Sequence, residues 1–151
     1  MTSILIDTDV LLDFLFERES FYEDAAEILN LCDLNKISGW LTPVILSNMY
    51  YMLRKSYTHN EIVAKFRELL KILNVLSMNK DTVLLALNSK FTDFEDALQN
   101  YSAEHSKEVS FVITRNTKDY KDSLLNVLMP DEFLVQYKTP PIPSPVDSDL
   151  E

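Results

Sequence analysis

Three short segments of this sequence gather carboxylates and amides in places where chemistry can be done: Asp7 with Asp9, Asp93 with Asp96, and Asn116 with Asp119. Each lies near the carboxyl end of an apolar run or at a helix start beside one. Carboxylates packed together repel, so ionising the whole group is costly unless a hard divalent cation such as Mg²⁺ or Mn²⁺ neutralises it. A site of that kind activates water and stabilises the charge of phosphodiester cleavage. The competing explanation is architectural, because acids also cap helices. On the residues alone Asp9 reads as the cap of the helix that follows it, and Asp7, at a strand end, as a functional group.

The elements that must position these acids alternate along the chain. Ile4, Leu5 and Ile6 form an apolar run without polar alternation, as in a strand buried on both faces of a parallel sheet. Ser20 to Glu23 reads as a capping box opening a helix that runs to about Lys36. Residues 37–41 read as a second strand, and Thr42-Pro43 starts a mostly apolar helix. Thr58 to Glu61 is another capping box, before a helix with a basic outer face of Lys65, Arg67 and Lys71. Residues 75–78 read as a third strand, followed by an Asn79 cap and a short helix with Val83, Leu84 and Leu87 inward. Asp93 caps the next helix, Val109 to Thr114 is a β-branched strand, and Val127-Leu128 leads into a last helical turn at Pro130. Such alternation predicts an α/β fold, a parallel sheet with helices on both faces. Residues 1–138 read as one domain; residues 139–151, rich in proline, serine and acids, read as a tail unable to bury a core.

At 151 residues the chain suits a single domain, which at that size buries about 68–70% of its unfolded surface. One cysteine, Cys32, excludes an internal disulfide and any Cys-based zinc site, and points to a reducing, cytoplasmic compartment. No apolar segment reads as a signal peptide or membrane span. With one glycine, Gly39, there is no glycine-rich phosphate loop. A formal net charge of −10 argues against broad wrapping of nucleic acid, yet not against a nuclease, since bound metal reverses the local field. His59 and His105 read as surface residues, Trp40 as core, and Tyr50 and Tyr51 as core or interface.

Residues 4–13, 93–98 and 113–120, taken in that order and spacing, resemble the three signature segments of PIN domains. The resemblance covers the chain from its first residue to about Leu134, and its nearest suggested relatives are bacterial VapC-type toxin ribonucleases. It implies a three-layer α/β/α sandwich with Mg²⁺ or Mn²⁺ as cofactor, an RNA substrate, a homodimer and a restraining antitoxin. Matched position by position, Asp7 and Asp96 fall on metal-binding acids, and Asp119 or Asn116 on a further one, with Asp9, Asp93 and Thr114 around them. Two departures stand out. The family usually carries Asn where this chain has Asp9, and commonly Glu where it has Asn48. An amide coordinates metal less well than a carboxylate, so Asn48 implies reduced affinity or activity, with Asp9 as a compensating acid. Arg115 and Lys118 flank the segment; they either hold RNA phosphates or solvate a turn.

Two rivals accompany this reading. Asp7-Thr8-Asp9 also resembles the nucleophile segment of haloacid-dehalogenase-like phosphatases, but those enzymes want Thr or Val where this chain has Leu11. The other rival is a degenerate PIN domain that binds RNA or a protein without cutting, favoured by Asn48, Asn116 and the charge.

Overall fold

The computed structural model describes residues 1–138, so the expected tail lies outside the described residues. The elements are β1 (Ser3–Ile6), α1 (Thr8–Leu15), α2 (Tyr22–Asp33), β2 (Ser38–Leu41), α3 (Pro43–Leu53) and α4 (His59–Leu69). There follow β3 (Leu73–Val75), α5 (Lys80–Leu87), α6 (Phe94–Ser106), β4 (Phe111–Ile113), a 3₁₀ turn (Thr117–Tyr120), β5 (Asn126–Leu128) and α7 (Pro130–Lys138). All strand pairs are parallel, in the order β3-β2-β1-β4-β5, and the helices complete a three-layer α/β/α sandwich.

Strand order fixes where a ligand can enter. The chain builds outward from β1 through β2 and β3, then crosses back to lay β4 against the other side of β1. Loops leaving β1 and β4 therefore part, and a crevice opens at the carboxyl ends of those two strands. Central β1 is the most buried strand: Ile4, Leu5 and Ile6 are fully buried, with Leu5 between Trp40 and Val112. Its unbroken apolar run is the consequence of cover on both faces.

Gly39 on β2 leaves no room for a side chain: a Cβ there would stand 2.6 Å from Leu73 Cδ2 of β3 and 2.7 Å from Cys32 Sγ of α2. Cys32, on α2, is buried, and burial pushes its thiol up to about 12. His59 and His105 are exposed, and Trp40 packs against the core. Among the described residues no helix is long and apolar enough to cross a membrane.

Several local expectations are corrected. Asp7, rather than Asp9, is the N-cap of α1. Ser20 has φ 77° and leaves Phe21 as an N-cap without a side-chain bond, so the expected capping box does not form. β3 lies two residues earlier than expected. On α5 the inward residues are Thr82 and Ala86, whereas Val83, Leu84 and Leu87 are exposed. In α3 only Ile45, Met49 and Leu53 are buried, which frees the opposite side for the crevice. The box at Thr58 and the caps at Asn79 and Asp93 form as predicted; Asn79 is moreover part of a full capping box with Thr82, and the helix expected to start at Thr42-Pro43 does so with Thr42 as its N-cap.

Candidate metal centre

Asp7 is delivered by β1 and held from both sides. Its N–H donates to the Ile113 carbonyl at 3.0 Å, which ties the end of β1 to β4. Oδ1 accepts from the Thr8 N–H at 2.8 Å and Oδ2 from the Thr114 hydroxyl at 2.9 Å. The side chain is 7% exposed. Burial, reinforced by the charge of Asp9, pushes its carboxyl up to about 7.

Asp9, in the first turn of α1, faces the loop that leaves β4. Its Oδ2 accepts from the Arg115 N–H and from Asn116 Nδ2, both at 3.1 Å. Its Oδ1 is buried without a hydrogen-bond partner. Burial raises this carboxyl as well. Asp13, a further turn along the same helix, is 1% exposed and takes both Nε (2.7 Å) and Nη2 (3.1 Å) of Arg115, while Arg18 Nη1 reaches it at 3.2 Å. A buried carboxylate left unpaired is strongly destabilising, and this demand decides where Arg115 goes. Read from the sequence as holding RNA phosphate or solvating a turn, Arg115 does neither with its guanidinium: it is committed to Asp13 and lies 4.1 Å from the centre of the Phe21 ring.

The opposite wall comes from α3 and α6. Asp93 Oδ1 accepts from the Asp96 N–H at 3.0 Å and so starts α6 with Glu95 and Asp96 in its first turn. Burial, then the charges of Asp7, Asp93 and Asp119, pushes the Asp96 carboxyl up to about 7. Behind it the buried Tyr120 hydroxyl donates to Gln99 Oε1 at 3.1 Å and lies 3.4 Å from Asp96 Oδ1. From α3, Asn48 Nδ2 donates to Glu95 Oε2 at 2.9 Å.

These walls enclose a cleft of about 630 Å³. Asp7, Asp9, Asn48, Asp96 and Asn116 line it, as do Glu95, Gln99 and Arg18. Thr114 stands behind Asp7 and Asp93 behind Asp96, each through the hydrogen bond described. Asp119 and Lys118 are exposed on the 3₁₀ turn outside the lining, although the charge of Asp119 still reaches Asp96. Tyr51, expected in core or interface, is exposed on the cleft wall. Sequence reasoning did not single out Arg18, Glu95, Gln99 or Tyr120. Arg18 had a signal in the acid five residues before it, and Glu95 in its place beside Asp96.

The donors offered to an ion are oxygens only, which suits Mg²⁺ or Mn²⁺ rather than a soft metal. The orphaned Asp9 Oδ1 and the crowded Asp7 and Asp96 fit a cation in kind. Among the described residues no three acids, histidines or cysteines are gathered closely enough to hold an ion in this arrangement.

The model of the PIN domain family matches residues 3–118, a span that contains every residue lining the cleft. The chain belongs to the PIN domain family. Its fold is shared with solved PIN-domain structures at low identity. VapBC-1 from nontypeable Haemophilus influenzae aligns with a TM-score of 0.66 and 14% identity, over 86% of this chain and 99% of that one. VapBC2 from Rickettsia felis, solved with a DNA fragment from its promoter, aligns with a TM-score of 0.63 and 14% identity over 84% and 97%. Mycobacterium tuberculosis VapC20, described as a sarcin-ricin loop cleaving toxin, aligns with a TM-score of 0.55 and 16% identity over 72% and 86%. No curated protein matches the sequence.

Proposed function

We propose that this PIN domain is a divalent-metal-dependent endoribonuclease, the toxin of a cytoplasmic toxin–antitoxin pair. One observation carries the reading: Asp7, Asp9 and Asp96 converge on a single cleft, where burial, reinforced by their mutual charge, pushes both the Asp7 and Asp96 carboxyls up to about 7. Such a charge arrangement is costly alone and favourable around a cation. PIN domains are generally nucleases, and the structural neighbours named above include toxin–antitoxin pairs and an RNA-cleaving toxin, which supports both an antitoxin partner and an RNA substrate.

Asp7 and Asp96 would hold the ion, with Asn116 or Asp119 completing the donor set from the loop after β4. When bound, Mg²⁺ or Mn²⁺ supplies a water of lowered pKa and a counter-charge for the phosphate. The chain's own residues do the rest. Thr114 and the Thr8 amide fix the two oxygens of Asp7, while Asp93 and Tyr120 orient Asp96. Asn116 anchors Asp9 and keeps the β4 loop against the cleft. Arg18, which gives Nη1 to Asp13, and the exposed Tyr51 ring also line the cleft and would meet an RNA phosphate and a base there. Purified protein should cut RNA in Mn²⁺ or Mg²⁺ and stop when EDTA is added. Cleavage that continues unchanged in excess chelator would sink this mechanism. The homodimer implied by the resemblance is part of the same proposal, and size-exclusion chromatography with light scattering measures it.

A second reading, a PIN domain that binds RNA or a partner without cutting, is favoured by the amide at position 48 and by the absence of a tightly gathered acid trio among the described residues. Protein that binds Mn²⁺ and RNA but leaves the RNA intact would establish it.

A further inference from the structure

We propose that Glu95 is a working carboxylate of the cleft and that Asn48 is the residue that positions it; this rests on the metal-dependent reading above. Asn48 and Glu95 lie on different helices, and the Asn48 amide donates to Glu95 Oε2 at 2.9 Å across the space between α3 and α6. Both line the same cleft as Asp7, Asp9 and Asp96. A glutamate serving only the dipole of α6 needs no partner from another element, and Asp93 already caps that helix. Among the described residues Glu95 forms no salt bridge, so its charge is not spent on a basic side chain.

The chemistry of position 48 points the same way. An amide N–H₂ there attracts the Glu95 carboxylate, whereas a carboxylate there would repel it. With the amide at position 48, the α3–α6 wall offers the carboxylates of Glu95 and Asp96 to the cleft that Asp7 and Asp9 also line. Glu95 adds the hard anionic donor that an amide at position 48 does not supply. Its side chain is exposed, and one hydrogen bond holds it, so it is free to turn toward an ion once Asp7 and Asp96 have engaged one.

The test is calorimetric titration of metal-stripped protein with Mn²⁺. Glu95→Gln keeps shape and hydrogen-bonding capacity at an exposed site and should weaken Mn²⁺ binding about tenfold or more, the scale on which groups around a metal act. Its melting temperature in EDTA should not fall below the parent's, which shows that the loss is not misfolding. Moving the charge back, in the double variant Asn48→Glu with Glu95→Gln, should recover affinity to within a few-fold of the parent. If the parent binds Mn²⁺ and Glu95→Gln binds it equally well, Glu95 is a helix-end acid and this inference falls alone. If the parent binds no Mn²⁺, the metal-dependent reading falls and takes this one with it.

Discussion

Asp7 carries two duties that pull in opposite directions. As an N-cap it accepts hydrogen bonds that favour its charged form, yet burial beside Asp9 disfavours that form more, and the carboxyl rises to about 7. Asn in its place can keep Oδ1 on the Thr8 amide and donate from Nδ2 to Thr114 Oγ1, whose hydroxyl then turns to Asp9 Oδ2, already 3.5 Å away. Metal-free Asp7→Asn should therefore melt higher than the parent, by about 2–4 °C for each kcal/mol of repulsion relieved, and should lose most Mn²⁺-induced stabilisation. The pH dependence has a definite sign. Asp7 and Asp96 are raised from 3.8 to about 7, so the folded protein keeps protons that the unfolded chain has already released between those values. Stability contributed by these groups is full at the acid end of that window and is lost as pH rises through it. Melts in EDTA should fall from pH 5 to pH 8 for the parent and less so for Asp7→Asn, while the Mn²⁺ shift grows with pH because metal and proton compete. A lower melting point for the variant in EDTA, with an undiminished metal shift, would remove Asp7 from the site. At this scale the sequence marked Asp7, Asp9 and Asp96, which the fold brings to one cleft, but not their contacts. Asp9 was expected as a cap because Asp is a good one, but the chain turns helical at Thr8, so Asp7 takes the cap and Asp9 points its Oδ2 at the β4 loop. Arg115 was read as a phosphate ligand or a solvated turn residue, and its pairing with Asp13 went unseen, because nothing in the sequence marks Asp13 as buried.

At the scale of elements, the site is a meeting of two helix starts and one mid-helix amide. Both α1 and α6 begin with an aspartate whose side chain holds a first-turn N–H, and both present an acid to the cleft within that turn. Capping and lining the cleft are therefore tied to the same local feature here, which is why neither could be separated from the other by reading residues alone. The cap of α6 can be isolated experimentally. Asp93→Ser and Asp93→Ala remove the same charge, but only Ser can still accept from the Asp96 amide, so Ala should be less stable by about 0.5–2 kcal/mol in urea unfolding with EDTA. Equal midpoints for the two would show that Asp93 contributes charge and no cap. The interior of α5 was misread for a different reason: a short helix with Leu84, Leu85 and Leu87 offers apolar residues on several sides, and its packing against α6 is made by the smaller Ala86 with Ala97. Periodicity weights residue type, whereas close helix contact rewards small size.

For the whole molecule, the parallel α/β/α sandwich was legible because strands and helices alternate and β1 is apolar throughout. The order β3-β2-β1-β4-β5 was not, since nothing in any one segment says on which side of β1 the chain will return; only the three acid-bearing segments, which must meet, implied it. Long-range closure of this kind also governs how the fold opens. Cys32, 3% exposed and wedged against the single glycine of β2, has its thiol pushed up to about 12 by burial. A thiol reagent needs thiolate and access, and Cys32 offers neither until α2 leaves the sheet. The chain thus contains its own clock: the rate at which Cys32 is labelled counts the fraction of time the sandwich is open. Any ligand that binds only the closed fold slows that clock by the factor one plus its concentration over its dissociation constant. Labelling with a thiol reagent at rising Mn²⁺ should trace the affinity of the cleft from a residue outside its lining, with no nuclease assay. A rate indifferent to Mn²⁺, in protein that binds the ion by calorimetry, would mean that α2 opens by itself and that the sandwich does not move as one unit.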